Sequence, residues 1–173
     1  YGLVGQGVAA SAKAFGAQVK VAELDPARAL QAKYDGWPVV DLGNAVKDAD
    51  VIATATGGYG VVSAKHLDAM KEGTFILNVG HVAQEIDVPY LKENANHSEP
   101  IPYVNAYTLN GKTLFLLADG SMFNLTAGYG DSLNAFDVTL AVMAAGIGHI
   151  VGEGSTHKNG LYLLPEKAWR TAL

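Results

Sequence analysis

The sequence predicts an α/β fold built on a doubly wound parallel sheet, and three observations carry that prediction. Apolar runs of roughly four to six residues alternate with helical stretches of about ten. The opening Tyr1-Gly2-Leu3-Val4-Gly5-Gln6-Gly7 puts glycines where a strand turns tightly into a helix. An acidic residue, Glu23, then closes the next apolar run at the spacing such a turn calls for.

The elements follow in order. Residues 7–15 are Ala-rich, as suits a helix packed closely on a sheet, and Gly16 ends them. Residues 18–23 read as a short strand. Pro26 after Asp25 opens a helix to about Tyr34, since proline lacks only an N–H that the first turn leaves free. Val39-Val40 is a brief strand and residues 42–47 a short helix. Residues 51–54 form a strand ending in Ala55-Thr56-Gly57-Gly58, residues 63–70 a helix, and residues 74–79 a buried strand ending in Gly80-His81. The crossovers between these strands should be right-handed. The second half changes character: residues 103–109 and 112–118 flank Asn110-Gly111, a strong hairpin signal. A long helix is expected over residues 131–146.

Bulk properties narrow the function. Hydrophobic residues make up 49% of the chain and charged ones 17%, which indicates a globular chain. The net charge of −5, with no basic cluster, argues against nucleic acid as partner. No cysteine is present, which removes disulfides and cysteine chemistry and fits a reducing compartment such as the cytoplasm. Residues 138–151, the most apolar helical candidate, read as too short and too broken by Gly146 and Gly148 to span a membrane. No histidine pair has metal-ligand spacing backed by carboxylates, so no catalytic metal is expected.

The chemistry-bearing residues cluster at strand ends. The turn through Gly2, Leu3, Val4 and Gly5 offers backbone N–H groups and a helix N-terminus to a diphosphate. Gly2 allows close backbone approach, and Gly5 is expected to let the helix pack against the sheet. Glu23 is placed to accept ribose hydroxyls and to repel a 2′-phosphate, so NAD is expected over NADP. Thr54, Thr56 and Gly57 end a strand where open α/β sheets bind ligands, although a glycine turn alone would look the same. His81 ends another and is a candidate proton carrier. His66 reads as structural, and His97, His149 and His157 as solvated. The stripe through Leu140, Val142 and Met143 reads as core or subunit interface.

Beyond these residues, the chain resembles the NAD-binding domain of the S-adenosylhomocysteine hydrolase (adenosylhomocysteinase) family. The resemblance runs through the glycine turn, Glu23-x-Asp25-Pro26, Ala53-Thr54-Ala55-Thr56-Gly57, Asn78-Val79-Gly80-His81, Glu85-Ile86-Asp87, Leu116-Leu117-Ala118-x-Gly120 and Asn124-Leu125. It implies a tightly held NAD that transiently oxidises the 3′-hydroxyl of a nucleoside thioether. That acidifies the neighbouring C4′ hydrogen and lets homocysteine leave. It also implies that Asn78 and His81 face the nicotinamide and substrate, that His81 takes part in catalysis, that Gly80 lines the cofactor site, that Asn124 meets the nicotinamide amide, and that the enzyme is a homo-oligomer, a tetramer.

Residues 1–173 are read as that one domain, cut within its own phosphate-binding turn. Its first strand, the substrate domain and the C-terminal arm are expected to lie elsewhere in the parent, so this piece alone should not turn over. Two departures touch the substrate. Gly130-Asp131-Ser132-Leu133 stands where the family has Gly-His-Pro-Ser, and Gly60 where it has an acid. Asp131 would offer the purine an acceptor in place of a donor, or would simply cap the following helix. Two other readings are a 2-hydroxyacid-type dehydrogenase and a non-catalytic NAD sensor.

Overall fold

The computed structural model describes residues 1–130 and 133–170. It divides into two compact units, Tyr1–Tyr129 and Gly130–Leu173.

The first unit is mixed α/β. In chain order it holds α1 (Leu3–Ala14), α2 (Pro26–Tyr34), α3 (Leu42–Ala45), β1 (Val51–Thr54), α4 (Ala64–Ala69), β2 (Phe75–Asn78), α5 (Val88–Asn94), β3 (Asn96–Ile101), β4 (Val104–Leu109), β5 (Lys112–Leu117) and α6 (Phe123–Thr126). The strands form one sheet in the order β1-β2-β5-β4-β3. β1 and β2 run parallel with Thr54 opposite Asn78, and β2 runs parallel to β5. The β4–β5 hairpin turns at Asn110 and Gly111, both at positive φ as a type I′ turn requires. Helix α2 starts where the sequence places it, because Asp25 accepts the Arg28 N–H at 2.9 Å.

Alternation along the strands turns Ile52, Ile76, Leu114 and Leu116 to one face, where Leu67, Met70, Val88 and Leu91 of α4, its following turn and α5 complete the core. Burying each such side chain contributes about 1.5–3 kcal/mol. The opposite face presents Val51 and Phe75 to solvent, with Phe75 stacked on Phe115 at 4.8 Å. In the first unit the described core lies on this face of the sheet. Tyr107 is wholly buried with its hydroxyl unpartnered; burial, helped by the Asp119 carboxylate, pushes its phenol up to about 12.

Four elements depart from expectation. Residues 18–23 and 39–40 form a single parallel bridge, Val21 with Val39, because no further strand extends their ladder. Gly5 does not pack closely: a Cβ there would meet nothing within 4 Å. β3 is an exposed edge strand whose register breaks between Ser98 and Ile101, next to Pro100. Such strands lack alternation because neither face is buried. In the second unit α7 (Leu133–Glu153) runs on through Gly146, Gly148 and Gly152, followed by α8 (Glu166–Arg170). Each glycine costs about 1 kcal/mol relative to alanine, and the strong helix formers Leu140, Ala141, Met143, Ala144 and Ala145 precede them in the same helix. The stretch Phe136–Thr156 is thereby long and apolar enough to cross a membrane by length and composition alone, where a short broken segment was expected. Leu140 and Met143 are exposed, so they are not core of this unit. Asp131 and Ser132 lie outside the described residues.

His66 is structural. Its Nδ1 accepts the Ser63 N–H at 3.1 Å and so closes a capping box at the start of α4. Burial, and secondarily Lys65, lowers its pKa from 6.5. The folded form thus favours neutral imidazole, and the unfolded chain takes up protons first on acidification. The stabilisation is complete above pH 6.5 and declines as pH falls through that value toward the lowered pKa. Urea midpoints measured across that range should fall with pH, and a His66→Gln variant should show a flatter profile. Leu116→Ala should lower unfolding free energy by about 2–5 kcal/mol. Leu24→Ala, at a fully exposed position, should stay within about 0.5 kcal/mol by the same measurement.

Candidate functional site

Two groups of residues converge on loop ends of the first unit. The first surrounds the start of α1. Gly2 takes an extended conformation and no side chain caps the helix, so its first N–H groups are free for a ligand. Leu3 and Val4 are exposed there. Glu23 lies beside this turn: one oxygen accepts the Asp25 N–H at 2.9 Å, and the other faces the Tyr1 nitrogen. The Arg28 guanidinium also reaches the turn, 3.7 Å from where a Gly2 Cβ would stand. Tyr1 is braced from behind, its hydroxyl donating to Asp35 at 2.9 Å and accepting from Trp37 Nε1 at 2.7 Å.

The second group sits where β1 and β2 end. Asn78 is wholly buried and its capacity is spent inside the protein. Its Oδ1 accepts from Thr54 Oγ1 at 3.1 Å and from the Gly80 N–H at 2.8 Å. Its Nδ2 donates to the carbonyls of Val82 and Gly120 at 2.9 and 3.1 Å. Thr54 and Asn78 therefore organise the site, with no polar atom of Asn78 left over for a ligand. The loop carrying Asn124 is drawn to this point by the bridge between Asn78 and Met122.

Asn124 itself carries the opposite signature. Its Oδ1 is buried and has no hydrogen-bond partner among the described residues. A buried acceptor in that state costs about 1–3 kcal/mol, which an incoming N–H donor would recover. The carboxamide of a nicotinamide supplies such a donor, and free helix N–H groups and the Glu23 carboxylate stand at the other group. The residues present fit a nicotinamide dinucleotide. His81 is exposed, and its ring lies over Gly57, with Cε1 3.3 Å from a Cβ placed there.

One residue that sequence reasoning left unassigned ties these loops together. Glu85 is wholly buried, and its carboxylate accepts from the Thr56 N–H, Thr56 Oγ1 and Gly57 N–H at 3.0, 2.8 and 2.7 Å. A side chain at Gly80 would overlap that carboxylate, so glycine is required there by space. Its only signal in sequence was its place in the Glu-Ile-Asp run. Gly60 takes a φ of +62°, so the backbone asks for glycine where an acid was expected.

Comparison with known proteins agrees with this geometry. The profile of the S-adenosyl-L-homocysteine hydrolase NAD-binding domain matches residues 1–130. An adenosylhomocysteinase of Saccharolobus solfataricus is 40% identical over 95% of this chain and 40% of its own length. An S-inosyl-L-homocysteine hydrolase of Methanopyrus kandleri is 35% identical over 96% of this chain and 40% of its own. The chain thus spans about two fifths of the relatives it matches. Among solved structures, the A chain of dipicolinate synthase from Bacillus subtilis superimposes with a TM-score of 0.58 at 19% identity, covering 86% of this chain and 43% of that one, which shows a shared fold. The chain belongs to the S-adenosyl-L-homocysteine hydrolase family, as its NAD-binding domain, and its cofactor is NAD.

Proposed function

We propose that this chain is the cofactor-holding part of an enzyme that reversibly cleaves S-adenosylhomocysteine into adenosine and homocysteine. The observation that carries the reading is the unpartnered, buried Asn124 Oδ1 beside the ends of β1 and β2. When bound, NAD supplies a reversible hydride acceptor for the substrate's 3′ carbon.

The chain's own residues divide the remaining work. The N–H groups of Gly2, Leu3, Val4 and Gly5 at the start of α1 hold the diphosphate, and Glu23 takes the adenosine ribose hydroxyls. Thr54 and Asn78 lock the strand ends. Thr56, Gly57 and Gly80 shape the loop surface, with Gly57 at positive φ. Asn124 accepts from the carboxamide. His81, exposed over Gly57, is placed to move a proton at a ring nitrogen. The family relatives support a nucleoside thioether substrate, the family resemblance implies a homo-oligomer, and the cysteine-free composition fits the cytoplasm.

A net dehydrogenase of the 2-hydroxyacid type is less well supported. It would need an arginine at the cleft for the substrate carboxylate. Of the two arginines, Arg28 stands at the Gly2 turn, and Arg170 pairs with Glu166 on α8 at 2.6 Å.

The full-length protein, purified and dialysed, should release NAD on denaturation and form adenosine from S-adenosylhomocysteine without net NADH; absence of nucleotide, or steady NADH accumulation, overturns the reading. Glu23→Ala should weaken NAD binding by about tenfold or more, the scale of a lost charged hydrogen bond, and narrow the preference over NADP. Equal affinities for both nucleotides in variant and parent would remove the ribose assignment. Gly80→Ala should abolish NAD retention while leaving secondary structure intact by circular dichroism; normal retention would show that the Glu85 contact is dispensable.

A further inference from the structure

The buried Glu85 carboxylate has no ion-pair partner among the described residues. Its oxygens meet only donors: the Thr56 N–H, Thr56 Oγ1 and the Gly57 N–H. Thr56 Oγ1 already accepts the Gly58 N–H at 3.0 Å, which directs its own proton to the carboxylate. Each of these contacts is one that a carboxylate oxygen accepts. Yet among the described residues no lysine, arginine or histidine forms an ion pair with it. Neutral donors offset only part of the cost of burying a carboxylate, and a buried charge is ordinarily matched by a counter-charge. A cationic ligand seated at this turn would supply the missing counter-charge.

We propose that Glu85 biases the bound nicotinamide toward its oxidised form, acting as the counter-charge of the cationic ring. The inference rests on the cofactor reading above, which puts the nicotinamide between the Thr56–Gly57 turn and Asn124. Reduction adds a hydride, two electrons with one proton, to the ring and abolishes its positive charge. A fixed anion beside the ring therefore stabilises NAD⁺ and gives NADH no matching gain. Glu85 makes no contact with substrate in this account; it is a positioning and electrostatic residue.

The test compares dissociation constants of NAD⁺ and NADH for the full-length wild-type protein and its variants. Their ratio reports the two-electron potential of the bound couple. Glu85→Gln, nearly isosteric and neutral, should shift the ratio toward NADH about tenfold, equal to roughly a 30 mV more positive potential. Glu85→Asp keeps the charge and should restore most of the wild-type ratio. The Gln amide places an NH₂ against existing donors, so folding is checked by circular dichroism. Should that variant not fold, Thr56→Val carries the test: it strips one donor from a carboxylate that stays charged, and should move the ratio toward NAD⁺. Equal weakening of both nucleotides, with the ratio unchanged, makes Glu85 structural and overturns the inference alone. A wild-type protein that binds neither nucleotide overturns the cofactor reading and this inference with it.

Discussion

The hydrogen bonds into the buried Glu85 carboxylate hold the nicotinamide end of this site together. They connect the turn after β1 to the segment after β2, two stretches that the parallel register of Thr54 with Asn78 brings side by side but does not fix. Strand pairing ends at those residues, and beyond it the backbone of two loops would otherwise face water. One carboxylate satisfies three of those loop donors at once. The demand propagates to Gly80, where any side chain would displace the carboxylate, and to His81, whose position follows from the same turn.

The two ends of the site are built on different physics. Around Gly2 and Glu23 the surface is exposed and open, and recognition there depends on free N–H groups and one acid. Around Asn78 and Glu85 the polar groups are buried and spent on one another. Changes at the adenosine end should accordingly be read in affinity and nucleotide choice. Changes at the other end disturb a network in which leaving one partner unsatisfied costs more than the contact itself contributes.

Local chemistry made much of the fold legible. Asp25-Pro26 starts α2 because a cap and a fixed φ act within one turn, and Asn110-Gly111 folds the β4–β5 hairpin because both residues tolerate positive φ. Features decided by distant partners were not legible. The run at 18–23 has strand composition, but a strand needs a neighbour, and only Val21 finds one. α7 runs past its glycines, continuing a helix already set by the Leu, Met and Ala residues of its first half. The candidate site divides the same way. Its glycines and Glu23 announce themselves by spacing. Glu85 does not, because a buried glutamate in a polar-looking loop has no local pattern to mark it.

Asn78 and Asn124 show why residue type alone could not assign roles here. Both are asparagines at the same end of the sheet, joined through the bridge to Met122, and sequence reasoning treated them as equivalent neighbours of the cofactor. One is saturated by four internal hydrogen bonds and the other keeps a buried acceptor empty. A saturated amide can only position, because any contact with a ligand would break a bond already made. An empty buried acceptor is open to recognition, because the free energy lost by leaving it unsatisfied is recovered when a ligand donates to it. The division of labour between them is thus set by which hydrogen bonds the folded chain completes for itself, a quantity that depends on Val82, Gly80 and Gly120 as much as on the asparagines.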